Sequence, residues 1–285
     1  DPNSAYTLSG TTLTFTGAPP SGTNNIYVVH QAKSVGTIDV PASFTSDAQT
    51  FSGGLTSSGT TTVSGALTAS GGVTLSGTTP TLTIGDAGAE DAKIVFDGNE
   101  YDYHIGLDDS TNALTIGRGS ALGTTTAINL SNDDQITKPL QSAFLALNDG
   151  GDSITNATTT TIALDSEIFD VNGDVSSNTF TAPATGKYFL SAMVRLDAGS
   201  SSNTRFNRMF ISFNASNRGT LFETGQMYTD EDDRMGVSGS MVLDMDANDT
   251  VVLRVFASRN GASGATTTSG HNTEPVTFFS GFLLG

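Results

Sequence analysis

The chain has 285 residues, no cysteine, and 29 acidic against 12 basic side chains, a formal charge of −17 at neutral pH. That balance excludes a nucleic-acid binder, whose affinity rests on Lys and Arg neutralising phosphates, and it disfavours an anionic membrane surface. With no cysteine there is neither a disulfide framework nor a thiol nucleophile.

No apolar run approaches the length of a bilayer span, so membrane insertion is not expected. A hydrophobic content of 36% with 32 glycines is thin for one large core, and part of the chain is expected to be non-globular. Thr favours strands, Gly and Pro mark turns, and no window carries apolar residues at helical period, so the fold class is all-β. Asp1-Pro2, with neither an initiator Met nor a signal peptide, reads as the start of an excised piece of a longer polypeptide.

In chain order, residues 1–40 form a small β module, truncated at its N-terminal side. Its expected strands are Tyr6–Leu8, Thr12–Phe15 and Asn25–Val29, with Ala18-Pro19-Pro20-Ser21-Gly22 as a turn in which Pro presets φ and Gly supplies positive φ. Three short strands make a marginal sheet, so further strands are expected from upstream sequence or neighbouring chains.

Residues 41–81 carry the most regular pattern. Ser-Gly recurs every six residues, at Ser52-Gly53, Ser58-Gly59, Ser64-Gly65, Ser70-Gly71 and Ser76-Gly77. A fixed period implies one structural unit stacked along an axis. Each hexad holds only one or two apolar residues, such as Leu55, Val63, Leu67, Val73 and Leu75. That is too little for one chain to offset roughly 1–2 kcal/mol of backbone ordering per residue. The reading is a fibrous shaft of intertwined β-chains, three in number, with a disordered Gly/Ser/Thr linker as the alternative.

Residues 82–136 are read as a β-rich collar or continued shaft. Leu82-Thr-Ile-Gly85 returns as Leu114-Thr-Ile-Gly117, and Asp97-Gly98-Asn99 between Ile94-Val-Phe96 and Tyr101-Asp-Tyr-His-Ile105 signals a hairpin. Residues 131–138 form a neck below the head, residues 137–285. There Phe180 is followed by a Pro/Gly corner and then by Gly186, Tyr188 and Phe189, with Gly186 expected at positive φ; the closing aromatic run 278–285 belongs inside a sheet.

Catalytic patterns are sparse, and no enzyme is expected. The three histidines, His30, His104 and His271, fall in separate segments without metal spacing, and no Gly-x-Ser-x-Gly sits on a strand-to-helix turn. Acidic residues are the remaining candidates. Asp230, Asp232 and Asp233 in the run before Arg234 are candidate metal ligands, against the plainer reading of a solvated loop with Arg234 as its partner. Asp170-Val-Asn172-Gly173-Asp174 has calcium-loop oxygen spacing but lacks the Gly and the closing Glu of such a loop, and reads as a turn. Asp244, Asp246, Asn248 and Asp249 fit a hairpin tip. No cofactor is expected, calcium being the one ion considered. Two carboxylates across a groove would permit glycoside cleavage, but polysaccharide grooves are often lined with Trp and this chain has none.

The blocks Phe180-x5-Gly186-x-Tyr188, 235–243 with 251–256, and Ser280-Gly281-Phe282-Leu283-Leu284 resemble the C1q/TNF-like jelly-roll family, in order and over about half the chain. Leu190 and Ala192 stand where that family has aromatics. The phrase Tyr6-Thr-Leu-Ser-Gly-Thr-Thr-Leu-Thr-Phe15 is similar to small β modules of bacteriophage tail-fibre proteins.

Together these resemblances imply a homotrimeric virion fibre, joined to other virion proteins through its N-terminal side. Its head would bind a host-cell surface glycan or protein through loops 198–207 and 259–273. The contact candidates are Ser200, Ser201, Asn203, Arg205, Arg259, Asn260, His271 and Asn272. Phe189, Phe256, Phe279 and Leu283 are expected in the sandwich core or at the trimer axis. A structural or decorating fibre whose head drives trimerisation is the main alternative; a polysaccharide depolymerase and a secreted cellular adhesin are the others.

Overall fold

A computed structural model describes residues 5–18, 20–23, 54–198, 203–225, 234–260 and 266–285. The chain divides into two compact units, 1–74 and 75–285.

In the first unit, β1 (Tyr6–Ser9) and β2 (Thr12–Phe15) pair antiparallel with Tyr6 opposite Phe15. Gly10, first of the two loop residues, has φ +58. Positive φ there matches the right-handed twist of the flanking strands, which is why glycine suits the position. The expected third strand at Asn25–Val29 lies outside the described residues. Within 54–74 no strand forms, and the backbone bends at 58–59, 64–65 and 70–71, each a Ser-Gly dipeptide. Leu55, Val63, Leu67 and Val73 are exposed. The six-residue period of the sequence is thus a six-residue period of bends.

The second unit begins with a five-stranded antiparallel meander: β3 (Ala92–Phe96), β4 (Tyr103–Asp108), β5 (Ala113–Arg118), β6 (Thr126–Leu130) and β7 (Ile136–Thr137). The hairpin expected around Asp97-Gly98 forms, with Phe96 opposite Tyr103. Leu114-Thr-Ile-Gly117 is strand, whereas Leu82-Thr-Ile-Gly85 is not. The same four residues differ because β5 has β4 and β6 on its two sides to complete the ladders.

The head follows. Its strands are β8 (Ala143–Leu147), β9 (Ser153–Ile154), β10 (Thr158–Thr161), β11 (Ser166–Asp170), β12 (Val175–Ser176), β13 (Thr179–Thr181), β14 (Gly186–Ala198), β15 (Asn203–Phe213), β16 (Ser216–Thr224), β17 (Arg234–Met245), β18 (Thr250–Asn260), β19 (Thr266–Thr268) and β20 (Phe278–Leu283). One sheet runs β12-β13-β18-β15-β16 with β10 also on β18. The other runs β11-β8-β20-β14-β19-β9 with β17 on β14. β20 is central, between β8 and β14, as its aromatic sequence requires.

Alternate residues of both sheets meet in one core. Phe144 stacks on Phe180 with centroids 4.7 Å apart, Phe279 meets Phe144 edge-on at 5.2 Å, and Tyr188 meets Phe180 at 5.5 Å. All four are fully buried. Burying one such large side chain stabilises by about 1.5–3 kcal/mol. The Tyr188 hydroxyl donates to the Ala184 carbonyl at 2.7 Å, tying down the corner between β13 and β14.

Two details correct the sequence reading. Gly186 does not adopt positive φ; a Cβ there would lie 2.7 Å from Leu283 Cδ1, so a larger residue would require only that the end of the Leu283 side chain shift. The segments 235–243 and 251–256 are not a hairpin, since β17 and β18 lie in opposite sheets and Asp246–Asp249 is the corner between them. Asn248 takes φ +74 there, and the Asp249 carboxylate accepts the Asp246 N–H at 2.8 Å. Arg234 pairs with Asp197 across the ladder at 3.3 Å; the acidic run before it lies outside the described residues.

Candidate functional site

Cross-strand register fixes which residues share an end of the head. At one end Gly186 pairs with Met245, Tyr188 with Leu283 and Ala143 with Phe282, so the chain enters β8 there. At the other end Asp197 pairs with Arg234 and Thr267, Met193 with Phe278, and Asn203 with Asn260. Asn203 and the adjacent Arg259 and Asn260, far from it in sequence, are therefore gathered with the 269–277 loop at the end opposite Ala143. Arg205 is the extra residue of a bulge, between Thr204 opposite Arg259 and Phe206 opposite Ser258. Ser200 and Ser201 lie outside the described residues. So do the metal candidates Asp230, Asp232 and Asp233.

His271 and Asn272 are exposed, but the histidine is already used. Its Nδ1 accepts the backbone N–H groups of Thr273 at 3.3 Å and Glu274 at 2.9 Å, closing the loop on itself. That places His271 as a brace, and leaves Asn272 beside it as the freer contact position.

Sequence reasoning does not single out the network that holds this end together. Asn148 is fully buried; its Nδ2 donates to Asp152 Oδ2 at 3.1 Å and to the Ala163 carbonyl at 3.0 Å, and its Oδ1 accepts from the Thr268 hydroxyl at 2.9 Å. Asp152 Oδ2 also accepts the Ala163 N–H at 2.8 Å. The Thr277 hydroxyl, itself buried, donates to the Ser269 carbonyl at 2.7 Å. Burial raises the Asp152 carboxyl above 3.8, opposed by the Ala163 N–H and reinforced by the Asp165 charge. The signal in the sequence is Asn148-Asp-Gly-Gly-Asp152, which is indistinguishable from an ordinary turn.

The outward face of the seven-stranded sheet has the opposite character. One cross-strand row is Ala143, Phe282, Phe189 and Val242; the adjoining row starts with Phe169 and Leu145 and continues through Ser280, Ser191 and Ser240. The rings of Phe189 and Phe282 lie 5.3 Å apart. With Pro275 and Phe278 they line a shallow, predominantly apolar groove of about 460 Å³. Of the expected core-or-axis residues, Phe279 is core and Leu283 packs against it, whereas Phe189 lies on this outward face. Phe256 is half-buried on the other sheet.

The acidic loop 170–174 is a turn. Asp170 accepts the N–H groups of Asp174 at 3.0 Å and Val175 at 2.8 Å, and Asn172 takes φ +74. Both carboxylate oxygens of Asp170 are thereby committed to backbone. Asp174 accepts from the Ser142 hydroxyl at 2.6 Å, and burial raises its carboxyl above 3.8, with the Asp170 charge adding to the effect.

Two packed antiparallel sheets with this crossing order define a jelly-roll sandwich. Residues 143–284 match the C1q domain family, and the C-terminal part of the chain has the C1q/TNF jelly-roll fold. Domains of this type are typically trimeric and are binding or structural modules rather than enzymes. Among solved structures, the chain is similar to the globular domain of zebrafish complement 1qA protein, at 19% identity and TM-score 0.36 over 51% of this chain and 98% of that one. It is also similar to murine APRIL, crystallised at pH 5.0, at 16% identity and TM-score 0.36 over 50% and 99%. No curated protein matches the chain significantly.

Proposed function

We propose that the chain is a homotrimeric, non-catalytic fibre protein of a bacteriophage virion, joined to other virion proteins on its N-terminal side, whose head binds a host-cell surface glycan or protein. One observation carries the reading: the head separates an apolar side face from a polar end opposite the point where the chain enters. The side face, with Phe169, Phe189 and Phe282, suits like copies around a three-fold axis, because burying it removes aromatic surface from water without burying charge. The far end, where register places positions 259 and 260 and where Asn272 is exposed, is the loop end of a packed sandwich, the kind of place where binding residues are held by a scaffold. The Ser-Gly bends of 54–74 support the fibre part of the proposal.

Light scattering of the full chain tests the trimer. The expected mass is three times 29.3 kDa, about 88 kDa; a monomer removes the reading. Asn272→Arg then tests the binding end. The expected result is at least a tenfold loss of adsorption to susceptible cells with the mass unchanged. The apolar side face also favours a second reading, in which the head serves assembly alone; unchanged adsorption by the Asn272 variant and by variants at Arg259 and Asn260 supports that one.

A further inference from the structure

The meander 92–137 carries its side chains the wrong way out for a self-sufficient domain. Register aligns Ile94, Ile105, Ile116 and Ile128 in one row across four strands, and Leu107, Leu114, Leu130 and Ile136 in and beside the next. On this face the large apolar side chains, Phe96 and Tyr103 included, are mostly 37–71% exposed. The opposite face holds the buried positions, and those are small or polar: His104, Asp108, Thr115 and the glycines 106 and 117.

That polar face is already covered by the chain itself. His104 Nδ1 lies 2.8 Å from the Gly119 carbonyl; a Cβ at Gly117 would meet the Thr125 carbonyl at 2.4 Å, and one at Gly106 would meet Leu122 Cδ2 at 3.0 Å. The 119–125 loop therefore lies on the glycine side, where the missing side chains admit it. The apolar side is left without such a cover among the described residues.

We propose that this sheet is a second self-association surface, whose occupants are the same faces of the two other copies in the trimer. The proposal rests on the trimeric reading of the head and extends it to a separate contact. Charge selects like copies. Chains at −17 repel one another, which favours closure on a face without acidic side chains. The paired rows on this one contain none, and Arg118 at its margin is held over the Tyr101 ring at 5.1 Å. Extent is consistent with a contact: exposed large apolar residues run across all five strands, from Ile94 to Ile136, where a solvated surface normally shows such residues singly. Continuity supplies the encounter, since only residues 138–142 separate β7 from β8. Three heads assembled on their own faces would hold three copies of this sheet at high effective concentration.

The chain has no cysteine, so one introduced thiol reports alone. The experiment is Ile116→Cys in the full chain, with Thr111→Cys in the exposed β4–β5 turn as control, both under mild oxidation after light scattering and circular dichroism establish the native mass and fold. Three thiols around an axis can form only one disulfide. The expected result is a dimer-sized band on a denaturing gel that stops at about two-thirds of the chains for Ile116→Cys, and none for the control. A trimer of native mass in which the Ile116→Cys thiol stays free and reacts with maleimide overturns this inference and leaves the head reading standing. Cross-linking that approaches every chain at a dimeric mass overturns three-fold packing of this face. A monomeric mass overturns the head reading first.

Discussion

In the head, alternate apolar residues of one sheet meet those of another within the same chain, and Phe144, Phe180, Tyr188 and Phe279 vanish from solvent. In the 92–137 sheet the alternation is as regular, yet its isoleucine row faces outward while His104 and Asp108 are buried. The difference teaches that a period of two tells which residues share a face but not which face is covered. Coverage is decided by what lies opposite. For the head that is a second sheet; for the meander it is a polar loop on the wrong side.

The comparison is broken most forcefully in the head. Phe144→Ala removes the ring that joins Phe180 to Phe279 and is expected to cost about 3–5 kcal/mol, read by chemical denaturation; a loss under 1 kcal/mol would mean the aromatic cluster is not the centre of the core. Gly117→Val should act on the meander alone. Its branched side chain collides with the Thr125 carbonyl and His104, displacing the loop at a cost of about 1–3 kcal/mol. Hydrogen exchange should rise across 103–130 and stay unchanged in the head. Tyr188→Phe deletes one hydroxyl donor to Ala184 and is expected to destabilise the head by about 1 kcal/mol while leaving the mass of the assembly as it was.

Acid should sharpen the contrast with the smallest effect. Asp152 and Asp174 have folded values raised above 3.8, chiefly by burial, so their contribution is complete below 3.8 and is lost as pH rises through the raised values. Going from neutral pH towards 4 therefore stabilises the head through these two groups. Asp108 in the meander behaves in reverse. The Ser110 hydroxyl, donating at 2.6 Å, holds its carboxyl below 3.8, so its contribution is present above 3.8 and is lost as pH falls through the lowered value. Exchange rates corrected for intrinsic pH dependence should slow in the head between neutral pH and 4, and quicken around Asp108 only below 3.8. Asp152→Asn should flatten the first change and Asp108→Asn the second.

Much of the architecture was legible because it is written locally. The Phe180 corner, Tyr188 and the strand at 278–283 carry their own signals: a Pro that cannot continue a ladder, an aromatic run that cannot stay in water. The Ser-Gly hexads likewise announce their bends. What stayed hidden depends on partners distant in sequence. Nothing near Gly186 says that Leu283 will press on it, and nothing in 235–256 says that its two strands part into different sheets. The Asn148 network is hidden for the same reason, since its partner Thr268 is 120 residues away. Of the contact candidates, Asn203, Arg259 and Asn260 could be grouped from loop composition, but only register places them at one end. His271 looked like a free polar group and is spent on its own loop.

The position of β20 has a consequence for how the protein is made. This strand fills the slot between β8 and β14, and β8 is spoken more than 130 residues earlier. A nascent chain can therefore form the β14–β17 and β15–β18 ladders while still on the ribosome, but the seven-stranded sheet stays split until Phe278–Leu283 has emerged. Any product that stops before Phe278 presents two open sheet edges and an uncovered Phe144, a ready target for proteases and chaperones. β20 thus acts as a completion check: the outward face that carries Phe189 and Phe282 is finished only after translation has reached the residues that close it.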